Sequence, residues 1–310
     1  MSTVLISHPD VFEHVTPPGH PERVDRARAV EAALASEAFA HLERIEAPEA
    51  TDEQLLRAHP RSHLDALAKL DPSEGWAAID GDTFLSPRSL EAARRAAGAN
   101  VLAIDMVLGG AAGNAFCGVR PPGHHAEATR AMGFCFFNSA AVGALHAIEA
   151  HGLSRVAIVD FDVHHGNGTQ DIFERDGRVM YVSSHEWPLY PGTGRREERG
   201  VGNIVNVPLP GGTGGEDFRL AYERDVFPAL DRFRPELLII SAGFDAHRRD
   251  PLATLQLTEA DFDWVTRRLC DVADAHCAGR VVSTLEGGYD LDALAKSVAA
   301  HVSVLMERAP

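Results

Sequence analysis

The sequence predicts an α/β fold, a largely parallel sheet with helices on both faces. Two observations predict it. Short apolar runs rich in β-branched residues alternate along the chain with longer stretches of helical spacing. Polar residues able to do chemistry follow directly after several of those runs, where α/β sheets carry their sites. No linker, repeat or low-complexity tract divides the 310 residues, so one domain over residues 1–310 is expected.

Val4 to Ile6 reads as the first strand, and His8 to Arg23 as an irregular loop containing Pro17, Pro18 and Pro21. Glu22 to Ala40 is alanine-rich with helical spacing. Further helices are expected over Thr51 to Arg57, Arg61 to Leu70 and Pro87 to Leu108, the last ended by Gly109 and Gly110. His41, His59 and His63 lie in or beside these helices and read as solvated or capping residues. Ala115 to Val119 is a strand, and Pro121 and Pro122 hold the loop bearing His124 and His125 away from helix. Asn138 caps a helix to about His151.

Val156 to Val159 reads as a fully buried strand. Its carboxyl end changes abruptly to Asp160, Asp162, His164, His165 and Asn167, and Gly166 and Gly168 turn the chain into a helix from about Thr169. Strands at Val179 to Ser183 and Ile204 to Val207 flank a long loop, His185 to Gly202. A helix over Glu216 to Phe233, a buried strand over Leu237 to Ile240, a helix over Thr258 to His276, a strand over Val281 to Leu285 and a last helix complete the pattern.

Composition narrows the function. Hydrophobic content of 45% and charged content of 24% are ordinary for a globular protein. The net charge of −16 argues against a nucleic-acid partner, which calls for a basic footprint. It is compatible with a cationic substrate. No apolar run approaches the ~20 residues needed to span a bilayer. Met1 to His8 lacks a basic segment and cleavage site. A cytoplasmic enzyme without membrane attachment is the expectation. Cys117, Cys135, Cys270 and Cys277 form no paired motif; Cys117 and Cys270 read as core filling.

Four clusters follow apolar strands: His124/His125, Asp160 to Asn167, Asp245 and Tyr289. In a parallel sheet these ends share one edge. Alternation in a strand would let Asp160, Asp162 and His164 converge. Two carboxylates and an imidazole from Asp162, His164 and Asp245 leave positions for water and substrate, the open arrangement of catalytic zinc. His124 and His125 are candidate acid–base groups. Asp160 and Asn167 could orient them, and Tyr289 could donate to a developing oxyanion.

Arg120-Pro-Pro-Gly-His-His-Ala126, Gly133-Phe-Cys135, Asp160-Phe-Asp-Val-His-His-Gly-Asn-Gly-Thr-Gln170, Ser241-Ala-Gly-Phe-Asp245, Asp250-Pro-Leu252 and Glu286-Gly-Gly-Tyr289 together resemble the histone deacetylase family over nearly the whole chain. The likeness is greatest to the class II branch and its bacterial relatives, the deacetylase-like and acetylpolyamine amidohydrolases, because class I members usually carry Asp where Asn167 stands. The resemblance implies an arginase/deacetylase fold around an eight-stranded, mostly parallel sheet. It implies one zinc on Asp162, His164 and Asp245, His125 as the base that later protonates the leaving amine, and His124 as an electrostatic partner paired with Asp160. Tyr289 would hold the oxyanion. Phe134 and Tyr190 would wall a substrate tunnel, with Gly133 permitting close approach. A structural potassium would lie near Asp160, Asp162, the His164 carbonyl, Ser183 and Ser184. Cys135 would lie near the tunnel, within reach of thiol reagents, and His20 near its rim.

The implied activity is removal of acetyl or other acyl groups from lysine Nε in proteins or peptides, with acetylpolyamine hydrolysis as the alternative. Tyr190 stands where the family commonly has Phe. Leu252 stands where polyamine-specialised relatives can carry Glu, which weakens the polyamine reading; a homo-oligomer that narrows the tunnel stays open. An arginase-like two-metal site would need Asp at Gly166 and His247. A catalytically silent binder of acylated lysine would be expected to have lost a ligand or Tyr289, and neither is lost.

Overall fold

The computed structural model describes residues 2–309. In chain order the elements are β1 (Thr3–Ser7), α1 (Val24–Leu34), β2 (Glu43–Glu46), α2 (Asp52–Leu55), α3 (Arg61–Leu70), a small antiparallel pair β3 (Ala77–Ala78) and β4 (Phe84–Leu85), α4 (Ser89–Leu108) and β5 (Asn114–Cys117). Then come α5 (Ser139–Glu149), β6 (Val156–Asp160), α6 (Asn167–Phe173), β7 (Val179–Glu186), β8 (Ile204–Leu209), α7 (Gly215–Ala221), α8 (Phe227–Phe233), β9 (Leu237–Ala242), α9 (Glu259–His276), β10 (Val281–Leu285) and α10 (Leu291–Glu307). The main sheet has eight strands in the order β2-β1-β5-β10-β9-β6-β7-β8, with every pairing parallel.

The central strands β5, β10, β9 and β6 are buried at every residue, as expected of a sheet covered on both faces. Alternate residues of each strand feed two apolar layers. On one face Val159, Ile240 and Leu285 pack with α1, α9 and α10; on the other Ile158, Ile239 and Val282 pack with α3, α4 and α5. Capping fixes where helices start. Asn138 accepts from the Ala141 amide at α5, and Asp290 does so from the Ala293 amide at α10.

Three departures from the sequence expectation have local causes. The helix expected over residues 22–40 spans only Val24–Leu34: Glu22 before it is drawn into a buried ion-pair network, and after it the chain makes a separate 3-10 turn at Glu37–Phe39. The strand β2, Glu-Arg-Ile-Glu, carries no apolar pattern. It lies at the sheet edge, where charged side chains are tolerated and discourage pairing with another chain. The helix expected over residues 216–233 is interrupted by a π-helical turn at Tyr222–Val226.

Candidate active site

The loops after β5, β10, β9 and β6 leave four neighbouring strands at the same edge and bring the chemical groups together. Asp162, His164 and Asp245 are all buried, and their ligand atoms lie within 4.8 Å of one another. His164 Nδ1 is 3.1 Å from both Asp162 Oδ1 and Asp245 Oδ2. Strand alternation does not produce this convergence, since β6 ends at Asp160. Successive tight turns do: the Asp162 amide donates to Asp160 Oδ1, and the His164 amide to Asp162 Oδ1. Asp160 consequently faces His124 instead of joining the trio.

The trio suits a divalent cation. Burial and the charge of Asp162 push Asp245 up to about 7, the signature of two carboxylates forced together. Burial opposes charge on His164, yet its bonds to Asp162 and Asp245 raise it to about 10. The field at this point strongly favours positive charge. Two carboxylates and an imidazole match the donor set of a catalytic zinc, and His164 lines the adjacent cavity.

The histidine pair is driven in opposite directions. His124 is buried, which disfavours charge, but Asp162 and Asp160 hold its pKa well above the ordinary value. His124 Nδ1 lies 3.0 Å from Asp160 Oδ2, which also accepts from the Tyr181 hydroxyl. His125 is pushed well below the ordinary value by burial, then by His124 and His164. Its tautomer follows from its partners. Asn167 Nδ2 donates to Glu127 Oε1 at 2.8 Å, so Asn167 Oδ1 faces His125 Nδ1 at 2.8 Å and the ring donates from Nδ1. The Nε2 lone pair is left free.

A cavity of about 350 Å³ opens over this floor, lined by His20, Asp82, Phe84, His125, Gly133, Phe134, His164, Leu189, Tyr190, Leu252 and Tyr289. The Tyr190 ring meets His125 edge-on at 5.2 Å, and Phe134 meets Tyr289 at 5.9 Å. Gly133 adopts φ +55°, and a Cβ there would stand 2.5 Å from His125 Cδ2.

The family match decides the kinship. The model of the histone deacetylase domain matches residues 20–305. The chain belongs to the histone deacetylase family. It is 43% identical over 284 residues to a histone deacetylase-like amidohydrolase of Pseudomonas aeruginosa, covering 89% of this chain and 74% of that protein. It is 38% identical to a probable deacetylase of Archaeoglobus fulgidus, covering 94% of this chain and 82% of the other. The crystal structure of the HDA15 HD domain superposes with a TM-score of 0.94 at 40% identity, covering 99% of this chain and 88% of that one. The eight-stranded arginase/deacetylase fold is thus shared with a solved deacetylase-family structure.

Several residues that support the site receive no role from the sequence, although Arg120, Asp250 and Glu286 stand in the family motifs. Glu286, pushed up to about 7 by burial, accepts the amides of Gly123 and His124 at 2.6 and 3.1 Å and the Ser241 hydroxyl at 3.1 Å. It thereby fixes the histidine loop from the neighbouring strand. Arg26, fully buried, bonds the carbonyls of Glu286 and Gly288 and lies 4.9 Å from the Tyr289 ring centroid. Asp250 accepts the Tyr289 amide, which braces the Tyr289 turn. Arg120 forks onto both Glu22 oxygens at 2.6 and 2.8 Å.

Two expectations need correction. His59 and His63 are buried, stacked at 4.7 Å, and bond the carbonyls of Ala128 and Phe136 and the Asn138 amide; they brace the loop that carries Gly133 and Phe134. His41 is exposed as expected. Cys135 is wholly buried, its thiol pushed far up by burial and bonded to the Gly133 carbonyl, which makes it a poor target for thiol reagents. His20 lies at the rim, 4.8 Å from Phe134, without contacting the floor groups. Among the described residues no helix is long and apolar enough to cross a membrane.

Proposed function

We propose that this chain is a zinc-dependent deacylase that removes acetyl or other acyl groups from the Nε amine of lysine in peptides or proteins. Asp162, His164 and Asp245 would hold the ion. A divalent ion at that point polarises an acyl carbonyl and makes a water acidic. The observation that carries the reading is geometric: the buried donor set of Asp162, His164 and Asp245 stands beside the paired His124 and His125, and His125 and Tyr289 both line the cavity above it.

His125, neutral with its proton fixed on Nδ1 by Asn167, takes a proton from the attacking water at Nε2. The resulting imidazolium then delivers that proton to the departing amine nitrogen. His124, paired with Asp160, stabilises the negative charge that builds next to it. Tyr289 keeps its phenolic proton, since burial raises its pKa far above the usual range. It donates to the former carbonyl oxygen as that atom becomes negative. Phe134 and Tyr190 flank the acyl-amine chain, with Leu252 at the cavity wall. A potassium ion beside Asp160, Asp162, His164, Ser183 and Ser184 belongs to the same proposal. Its support is the register: Asp160 pairs with Ser183 on β7, and both are fully buried. A cytoplasmic setting is part of the proposal.

Acetylpolyamine hydrolysis is the second reading. Asp82 on the cavity lining favours it, and Leu252 counts against it. Turnover of an acetyl-lysine peptide and of N-acetylputrescine, measured side by side on one zinc-loaded preparation with Tyr289→Phe as control, separates the two. Dominant peptide turnover supports the main reading. Dominant polyamine turnover replaces it with the second, and zinc binding without turnover of any acyl-amine would indicate a silent binder.

A further inference from the structure

A second cluster of metal-ligating side chains stands apart from the cavity. Asp105 in the last turn of α4, His146 in the last turn of α5 and His151 just beyond α5 bring one ligand atom each within 4.8 Å of the others. Both imidazoles aim the same nitrogen at the same oxygen: His146 Nε2 is 2.7 Å and His151 Nε2 is 2.6 Å from Asp105 Oδ1. His146 is nearly buried, whereas the Asp105 side chain is 46% and the His151 side chain 27% exposed. One ligand is therefore rigid and two can adjust, with solvent available for the remaining coordination positions.

We infer that Asp105, His146 and His151 form a second divalent transition-metal site that clamps the ends of α4 and α5. Two imidazoles and one carboxylate suit zinc or nickel, not the hard cations that demand all-oxygen shells. With metal–ligand distances of about 2.0–2.2 Å, the donor atoms of a tetrahedral site stand roughly 3.3–3.5 Å apart. The present oxygen–nitrogen separations need to open by roughly 0.7 Å, within the range of two exposed side chains.

An ion pair of His146 with Asp105 is one competing account, and Arg57 bears on it. Arg57 Nη1 lies 3.2 Å from His146 Nδ1. A guanidinium only donates, so Nδ1 carries no proton and the His146 ring is neutral, with its hydrogen on Nε2. His146 is then no cation for Asp105. A metal on Nε2 requires that hydrogen to move to Nδ1 and Arg57 to withdraw. Arg57 has a second anchor, Glu149 Oε2 at 3.1 Å, that holds it when it does. Arg57 thus opposes metal binding, and its removal should strengthen it.

The test is equilibrium dialysis of the zinc-loaded full chain against micromolar zinc, with bound metal counted per chain. Wild type should bind one ion more than His151→Ala and than Asp105→Asn, both at exposed positions. Arg57→Ala should bind the additional ion roughly tenfold more tightly, the lower end of the range by which groups bonded to a ligand alter metal affinity, with the sign reversed because Arg57 holds the hydrogen on the ligating nitrogen. The difference in count is independent of how the catalytic trio is loaded. Equal counts in wild type, His151→Ala and Asp105→Asn overturn the inference, as does unchanged affinity in Arg57→Ala.

Discussion

Replacing Asn167 with Asp tests the assignment of His125 directly. The amide oxygen sits 2.8 Å from His125 Nδ1. A carboxylate there stabilises imidazolium, and an opposite charge at this range raises a histidine pKa by about 1–3 units, or roughly 1.4–4 kcal/mol. The second oxygen of the new Asp, however, would replace Asn167 Nδ2 opposite Glu127 Oε1, a contact of 2.8 Å in the native protein. That repulsion consumes part of the gain. Asn167→Asp alone should therefore move the acidic limb of the pH dependence of kcat/KM upward by about 1 unit, and Asn167→Asp with Glu127→Gln by about 2. The assay is turnover of an acetyl-lysine peptide between pH 5 and 9 for the three proteins. If the acidic limb stays where it is in wild type, His125 is not the base and the tautomer argument fails.

Three further outcomes follow from the same geometry. Tyr289→Phe removes one oxyanion donor while keeping the ring over which Arg26 lies, so kcat should fall about 10²–10³-fold with little change in thermal stability. Gly133→Ala combines an unfavourable φ of +55° with a Cβ 2.5 Å from the His125 ring; activity should collapse and the melting temperature drop, and wild-type turnover would show that the loop yields freely. His301, fully buried between Thr266 and Ser283, is held down to about 3 by burial. Its neutral form is the one folded, so stability is complete above pH 6.5 and is lost as the unfolded chain gains the proton between pH 6.5 and 3. His301→Gln should recover about 3 kcal/mol of the loss between pH 6.5 and 4, read by urea unfolding at the two pH values; parallel losses in both proteins would refute the assignment.

The fold and the floor of the site were legible because their signals are local. Val156 to Val159 and Leu237 to Ile240 are short apolar runs, and with Val281 to Leu285 they are rich in β-branched residues, which favours buried parallel strands over helix. The residues just after them gather because parallel strands point the same ends to one edge. Asp162, His164, Asp245, His124, His125 and Tyr289 could be nominated on that rule. Edge strand β2 escaped it, since an edge needs no apolar alternation, and so did the π-helical turn, whose hydrogen-bond shift leaves no mark on composition.

What the tertiary structure alone decided is which charges face which. The sequence contained Glu22, Arg26, Arg120, Glu286 and Asp250, but no spacing announces a partner 98 or 262 residues away. Nor could physical reasoning on the residues tell His124 from His125, whose separate roles came only from the family resemblance. Their difference arises from burial and from the distances to Asp160 and Asn167, quantities that exist only after the chain has closed. The order of strands was likewise a matter of packing: β10 inserts between β5 and β9, and that insertion carries Tyr289, Glu286 and the Arg26 contacts to the site. Side-chain chemistry is written along the chain, whereas the local field that gives each group its protonation state is a property of the folded volume.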